Sequence, residues 1–204
     1  TCTITNCVVK NSSVTGGSNL TGGLIGYSGT AVSKCAVIDT TVSGTEYVGG
    51  LIAQVGKAVT ECYTLHVTVT ATGDYAGGLI GGGNASDIAN CFVRGDGYVG
   101  GVIGDGGSYS KAKIKTTYAV ADVTAGTGEF GPLAGGSYVT ITTASSFYCS
   151  DSALTGKDSG KNTTGTPKTT AELKDAAILT RLGSAFGIYA GADGLKNAGF
   201  PYLL

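Results

Sequence analysis

The chain has 204 residues, a formal net charge of −1 and 13% charged residues. That balance lacks the basic surplus that nucleic acid or an anionic membrane surface would select, and no apolar run approaches the roughly 18 residues of a membrane-spanning helix. With 42% hydrophobic residues and 36 glycines recurring in register, the composition points to a folded repetitive core rather than a disordered low-complexity chain.

The pattern is already running at the start, with Ile4 and Cys7 in positions that return later, and the chain contains no Met. This suggests a piece of a longer protein. The first full copy of the governing phrase is Leu20-Thr21-Gly22-Gly23-Leu24-Ile25-Gly26. It returns as Tyr47-Val48-Gly49-Gly50-Leu51-Ile52-Ala53, Tyr75-Ala76-Gly77-Gly78-Leu79-Ile80-Gly81 and Tyr98-Val99-Gly100-Gly101-Val102-Ile103-Gly104. A degraded fifth copy is Phe130-Gly131-Pro132-Leu133-Ala134-Gly135. The first glycines, at 22, 49, 77, 100 and 131, give a period of 23 to 31 residues, the size of one coil of a solenoid.

A second column runs through Ile4, Val32, Val59, Ile88 and Ile114, each followed three residues later by Cys7, Cys35, Cys62, Cys91 and Thr117. Two inward residues three apart cannot lie on one flat strand, whose side chains alternate with period two. The chain is therefore expected to bend at Ser33-Lys34, Thr60-Glu61 and Ala89-Asn90. A third column, seven residues after each cysteine, is Val14, Val42 and Val69. Its flanks are Ser13 and Thr15, Thr41 and Ser43, Thr68 and Thr70, which reads as a half-buried strand with hydroxyls outside. Each coil thus offers about three short strands separated by glycine or polar bends. Neighbouring coils about 4.8 Å apart share hydrogen bonds and a continuous core. The predicted fold is all-β, a parallel β-solenoid of about five to six coils over residues 1–149, of either hand.

Four of the six cysteines share one inward column. They read as buried free thiols acting as small hydrophobes, with at least one disulfide as the alternative. No C-x-x-C pair suggests a metal site, and the lone His66 in a Thr-rich strand reads as structural. Residues 150–168 are polar and predicted to be a loop or linker. Residues 169–204 are predicted to be a capping end-piece. Thr169 to Glu172 is a capping-box pattern opening one helix through Leu173, Ala177, Ile178 and Leu182, which Gly183 stops. A cap there would cover the solenoid's last coil.

Tyr47-Val48-Gly49-Gly50-Leu51-Ile52, the Asn90-Cys91-Phe92 type of segment, Thr169-Thr170-Ala171-Glu172-Leu173-Lys174-Asp175 and Phe200-Pro201-Tyr202-Leu203 together resemble the GLUG-motif family of bacterial secreted and surface proteins. The resemblance spans nearly the whole chain. Departures are the absent Trp in the end-piece, Pro132 in place of a glycine, and a shortened coil after Cys91. The resemblance implies an extracellular or cell-surface location, in adhesin-like proteins or beside the catalytic domain of IgA1-specific metallopeptidases. No peptidase activity carries over, because there is no H-E-x-x-H and a single histidine cannot build that zinc site. Nor is there a G-x-S-x-G elbow. Asp39 and His66 share one repeat position with Lys10 and Asn11 nearby, but hydrolases of glycans need paired carboxylates at set separations. The segment is read as non-catalytic.

Three smaller signals complete the reading. Arg94-Gly95-Asp96 is expected at an exposed bend, as an ordinary turn or an integrin-type tripeptide. Glu46, Asp74 and Glu129 precede the aromatics that open Gly-Gly segments, so an acidic column could hold Ca²⁺ or splay into solvent; no other cofactor is expected. Finally, Ser13, Thr15, Thr41, Ser43, Thr68 and Thr70 form a hydroxyl face, with Tyr47, Tyr75 and Tyr98 at a corner. That face is the candidate surface for a host or matrix glycan or protein, or simply a soluble outer wall. A surface adhesin segment, a passive stalk, and an accessory repeat region of a large secreted enzyme are the three functions considered.

Overall fold

A computed structural model describes residues 2–17, 19–73, 75–83, 87–98, 100–105, 112–136, 139–158, 165–188 and 197–204, with backbone alone at 96–98, 105, 123–130, 154–158 and 197. The solenoid is parallel throughout. One sheet stacks Ile4–Thr5, Val32–Ser33, Val59–Thr60 and the starts of Ile88–Tyr98 and Ala112–Phe130. Beyond a bend it continues through Val8–Lys10 and Ser13–Thr15, Ala36–Gly44 and Tyr63–Ala71. A second face stacks Leu20–Gly22, Tyr47–Gly49 and Tyr75–Gly77, and isolated bridges extend it through Gly100 and Gly131. The third stacks Ile25–Ser28, Ile52–Val55, Ile80–Gly83 and Ile103–Asp105. About four turns are complete. A fifth is reduced to bridges at Gly131 and Ala134 on two of its faces.

The bends are made by non-glycine residues in the left-handed region. At the first corner these are Asn6, Lys34, Glu61, Asn90 and Thr116, with φ from 44° to 58°; at the second, Asn11, Asp39 and His66, with φ from 48° to 51°. One such residue lets the side chains on either side of the bend, such as Val32 and Cys35, both point inward. The following residue then secures the corner. Cys35, Cys62 and Cys91 each donate Sγ–H to the carbonyl two residues back at 3.2 Å, and Cys35 N–H donates to Cys62 Sγ at 3.4 Å. Thr117 Oγ1 and Thr40 Oγ1 make the same backward bond at 2.8 Å. The thiols are thus polar fasteners as well as small apolar fillers. All six cysteines are free, so the disulfide alternative does not hold. In-register side chains point the same way, which suits stacking and not the disulfide dihedral.

At the third corner two backbones come too close for a side chain. A Cβ on Gly49 would meet the Ile52 carbonyl and Gly81 N, and one on Gly50 would meet the Gly78 carbonyl. The Leu79 carbonyl meanwhile accepts from Leu51 N–H at 2.9 Å and Ile52 N–H at 3.0 Å. Leu51 and Ile52 are fully buried, as are Leu79, Ile80, Val102 and Ile103. The Gly-Gly-Leu-Ile phrase is therefore a corner that drives two adjacent apolar residues into one core.

The polar segment 150–168 departs from the expected linker. Leu154–Asp158 pairs with the Ala112–Phe130 strand, and Thr166–Lys168 pairs with Ser146–Cys149. Adding a strand to a sheet edge needs backbone donors and acceptors, which polar residues supply as well as apolar ones. The expected single helix is two short ones, α1 (Thr170–Lys174) and α2 (Leu179–Leu182), separated by a 3₁₀ turn at Ala176–Ile178. Asp175 is extended (ψ 134°) and its carboxylate caps the second piece through Ala177 N–H at 2.8 Å. Gly183, at φ 81°, ends α2 as expected.

The described tail is fastened to the flank of the solenoid, which replaces the expected cover over its end. The residue after each inward Cys or its equivalent points outward, giving the column Val8, Ala36, Tyr63, Phe92, Tyr118 and Phe147. Its aromatic part forms a ladder. Tyr63 stacks on Phe92 at 4.6 Å and Phe92 on Tyr118 at 5.4 Å. Leu173, Ile178, Leu182, Phe186 and Phe200 bury the ladder as a second core, and the Tyr118 hydroxyl donates to the Pro201 carbonyl. The tail docks where the column turns aromatic.

The capping box at α1 forms as predicted. Glu172 accepts from Lys168 Nζ at 2.6 Å and from Thr169 N–H at 2.9 Å. The Lys168 bond, then the Thr169 N–H, hold its carboxyl down from 4.5 to about 2. A depressed carboxyl contributes stability above its unfolded value and loses it as pH falls through its folded value. Acidification from pH 5 to pH 2 is therefore expected to fray the N-terminus of α1, read as lower amide protection factors, relative to the intrinsic rate at each pH, at Thr169, Glu172 and Leu173. Unchanged protection down to pH 2 would remove this role for Glu172.

Candidate functional site

The structure brings the six predicted hydroxyl residues together. Ser13 pairs with Thr41 and Thr41 with Thr68; Thr15 pairs with Ser43 and Ser43 with Thr70. Between these two outward columns Val42 and Val69 are fully buried, so the alternation read in the sequence is the one that folds. Ser43 is half-buried and the other five are exposed. Thr15 Oγ1 and Ser43 Oγ lie 3.2 Å apart, which makes the face partly self-bonded. Tyr47 and Tyr75 stack at 4.6 Å on the neighbouring face; the Tyr98 side chain lies outside the described residues.

Beside the hydroxyl columns runs the second corner. Its left-handed residues Asp39 and His66 meet, with His66 Nδ1 3.1 Å from Asp39 Oδ1 and both side chains a little over half exposed. Asp39 fixes the ring and selects Nδ1 as the nitrogen facing it. The next coil has one residue fewer here. Leu65 pairs with Arg94 and Val67 with Gly95, which leaves His66 without a counterpart. The corner column stops, and the missing residue leaves an outward-facing cleft of about 380 Å³.

His66 and Thr68 form one wall of this cleft, Arg94 and Gly95 another, and Val120, Ala121, Asp122 and Ser152 the rest. Arg94 is half-buried with its guanidinium 4.8 Å from the centre of the Phe200 ring, and burial lowers its pKa from the ordinary value. Asp122 Oδ1 accepts from Ala153 N–H at 2.7 Å. Thr68 belongs both to the hydroxyl column and to the cleft, so the two surfaces are continuous.

Arg94-Gly95-Asp96 is not at an exposed bend. It lies within the Ile88–Tyr98 strand, where Arg94 pairs with Leu65 on one side and Val120 on the other. The shortened coil pulls this glycine into the sheet instead of releasing it as a turn. Of the candidate calcium column, Glu46 is half-buried, while Asp74 and the side chain of Glu129 lie outside the described residues. Among the described residues no group of three or more His, Cys, Asp or Glu side chains is gathered. The cleft itself was missed by sequence reading, although its signal was there. The spacing from cysteine to the first glycine of the next phrase falls from 15 residues, Cys62 to Gly77, to 9, Cys91 to Gly100.

No family model matches the chain, and no curated protein matches it. A crystal structure from Bacteroides ovatus, described as that of a "putative immunoglobulin A1 protease", is similar in fold, with a TM-score of 0.54 and 16% identity over 96% of this chain and 74% of that one. At that identity the likeness concerns the fold.

Proposed function

We propose that this chain is a non-catalytic repeat segment of a secreted or cell-surface bacterial protein of the GLUG-motif kind, and that it binds an extended glycan or protein ligand along its hydroxyl columns. The observation that carries this reading is the in-register outward array Ser13, Thr41, Thr68 beside Thr15, Ser43, Thr70, running into the cleft at His66 and Arg94. A regular row of small hydroxyls offers the same weak contact at each coil, and repetition multiplies such contacts into useful avidity. The fold likeness to a protein described as an immunoglobulin A1 protease favours a second reading, in which the segment is the accessory repeat region of a large secreted enzyme whose catalytic domain lies elsewhere.

The test is capture of the folded chain on immobilised glycans and matrix proteins. Replacing Thr41 and Thr68 by Lys is expected to lower capture roughly tenfold or more, with stability lowered by only about 1 kcal/mol, because both side chains face solvent and the cost is that of two like charges on paired positions. A folded sample that binds nothing on such surfaces would replace binding by a spacer role. The sequence flanking this segment tests the second reading, since an H-E-x-x-H domain on the same chain supports it.

A further inference from the structure

The cleft below His66 differs in chemistry from the hydroxyl columns that lead to it. Arg94 only donates hydrogen bonds, the Asp122 carboxylate only accepts, and Thr68 and Ser152 do both. His66 is turned by its contact with Asp39, and Val120 and Ala121 supply an apolar patch. The charges do not favour an anion: the lining carries one arginine, Arg94, and one carboxylate, Asp122, and Asp39 stands beside His66. A ligand suited to adjacent donor-only and acceptor-only groups must itself donate and accept at neighbouring atoms. Vicinal hydroxyls of a neutral sugar do this, and the C–H face of the ring suits an apolar patch. The volume, about 380 Å³, sits at the small end of the roughly 300–1,000 Å³ range of small-molecule pockets.

The geometry points to this cleft as the seat of a neutral sugar unit, held through vicinal hydroxyls by Arg94, Asp122 and His66, with the rest of the glycan leaving along Thr68 and Thr41. This inference rests on the binding reading above and narrows it to one site and one ligand class. It also gives the shortened fourth coil a use, since deleting one corner residue is what opens the cleft.

The experiment uses the full chain on a printed array of neutral, sialylated and sulfated oligosaccharides together with matrix proteins. Two conservative substitutions probe the cleft. His66→Asn keeps a residue that Asn11 shows is at home in the same left-handed column. Asp122→Asn keeps an oxygen to accept from Ala153 N–H. Capture of neutral oligosaccharides, reduced roughly tenfold to a hundredfold by the double substitution with melting changed by no more than about 2 °C, is the expected result. A double variant that melts lower is replaced by each single variant, read the same way. Capture limited to acidic sugars or to matrix proteins, or neutral capture indifferent to both substitutions, overturns the inference and leaves the wider binding reading standing. Absence of any capture by the folded chain overturns both.

Discussion

Removal of residues 169–204 is expected to make the protein self-associate. In the intact chain Tyr118 and Phe147 are fully buried and Phe92 is 2% exposed, because α1, α2, Phe186 and Phe200 lie over them. Each aromatic side chain carries about 150–250 Å² of surface. Uncovering three in a row would create an apolar patch above the few hundred Å² that monomers usually tolerate. The Tyr118 hydroxyl would also lose the Pro201 carbonyl. Scattering or gel filtration across a concentration series reads the result. A truncated protein that elutes unchanged at high concentration, with unaltered melting, would show that the tail contributes nothing to the ladder. The flank location also predicts where association begins: replacing Phe92 and Phe147 by Thr in the truncated chain should suppress it, whereas an exposed coil end would be indifferent to those two residues.

Cys62→Asp should be among the most damaging single changes in this chain, and Cys62→Ser among the mildest in its core. Cys62 is fully buried, and burial, as the first cause, pushes its thiol well up from the ordinary value. Cys91 in the next coil is pushed up to about 12 for the same leading reason. A carboxylate at position 62 would face the Thr60 and Val32 carbonyls that now receive the thiol hydrogen. An uncompensated buried charge of this kind costs about 3–5 kcal/mol, a large share of the 5–15 kcal/mol that typically separates folded from unfolded. A serine hydroxyl would instead repeat the bond that Thr117 makes in the fifth coil, at a cost of about 1 kcal/mol. Denaturant melts of the two variants check the contrast, and equal stability would contradict the corner role. Thiol titration supplies an independent check. Cys2 is exposed and should react at once, while Cys35, Cys62, Cys91 and Cys149, all buried, should wait for denaturant.

Much of the architecture was legible because a solenoid repeats its own instructions. The Gly-Gly corner, the three-residue step from Val32 to Cys35 and the alternation around Val42 each state a local geometry that stacking then copies. The left-handed residues were less legible, since Lys34, Glu61 and Thr116 are not types that favour positive φ. Neighbouring coils hold them there, because the carbonyls and N–H groups on both sides of the bend are already committed to the coils above and below. The hydroxyl face was readable from alternation alone. Its meeting with Arg94, Asp122 and Ser152 was not, since those residues belong to later coils and to a turn within the segment read as a linker.

By itself the sequence determined the period, the parallel stacking, the inward cysteine column, the outward hydroxyls and the capping box at Thr169 and Glu172. These are set by side-chain alternation, close backbone approach and local hydrogen bonding, which act within one coil or between identical neighbours. The tertiary structure alone decided where the tail lies, that segment 150–168 joins the sheet, and that a cleft opens below His66. The tail follows the outward aromatics Tyr63, Phe92, Tyr118 and Phe147, whose shared surface exists only once four coils are stacked. The cleft follows from one corner residue missing between Leu65 and Val67's partners, a void that has meaning only against the coils on either side.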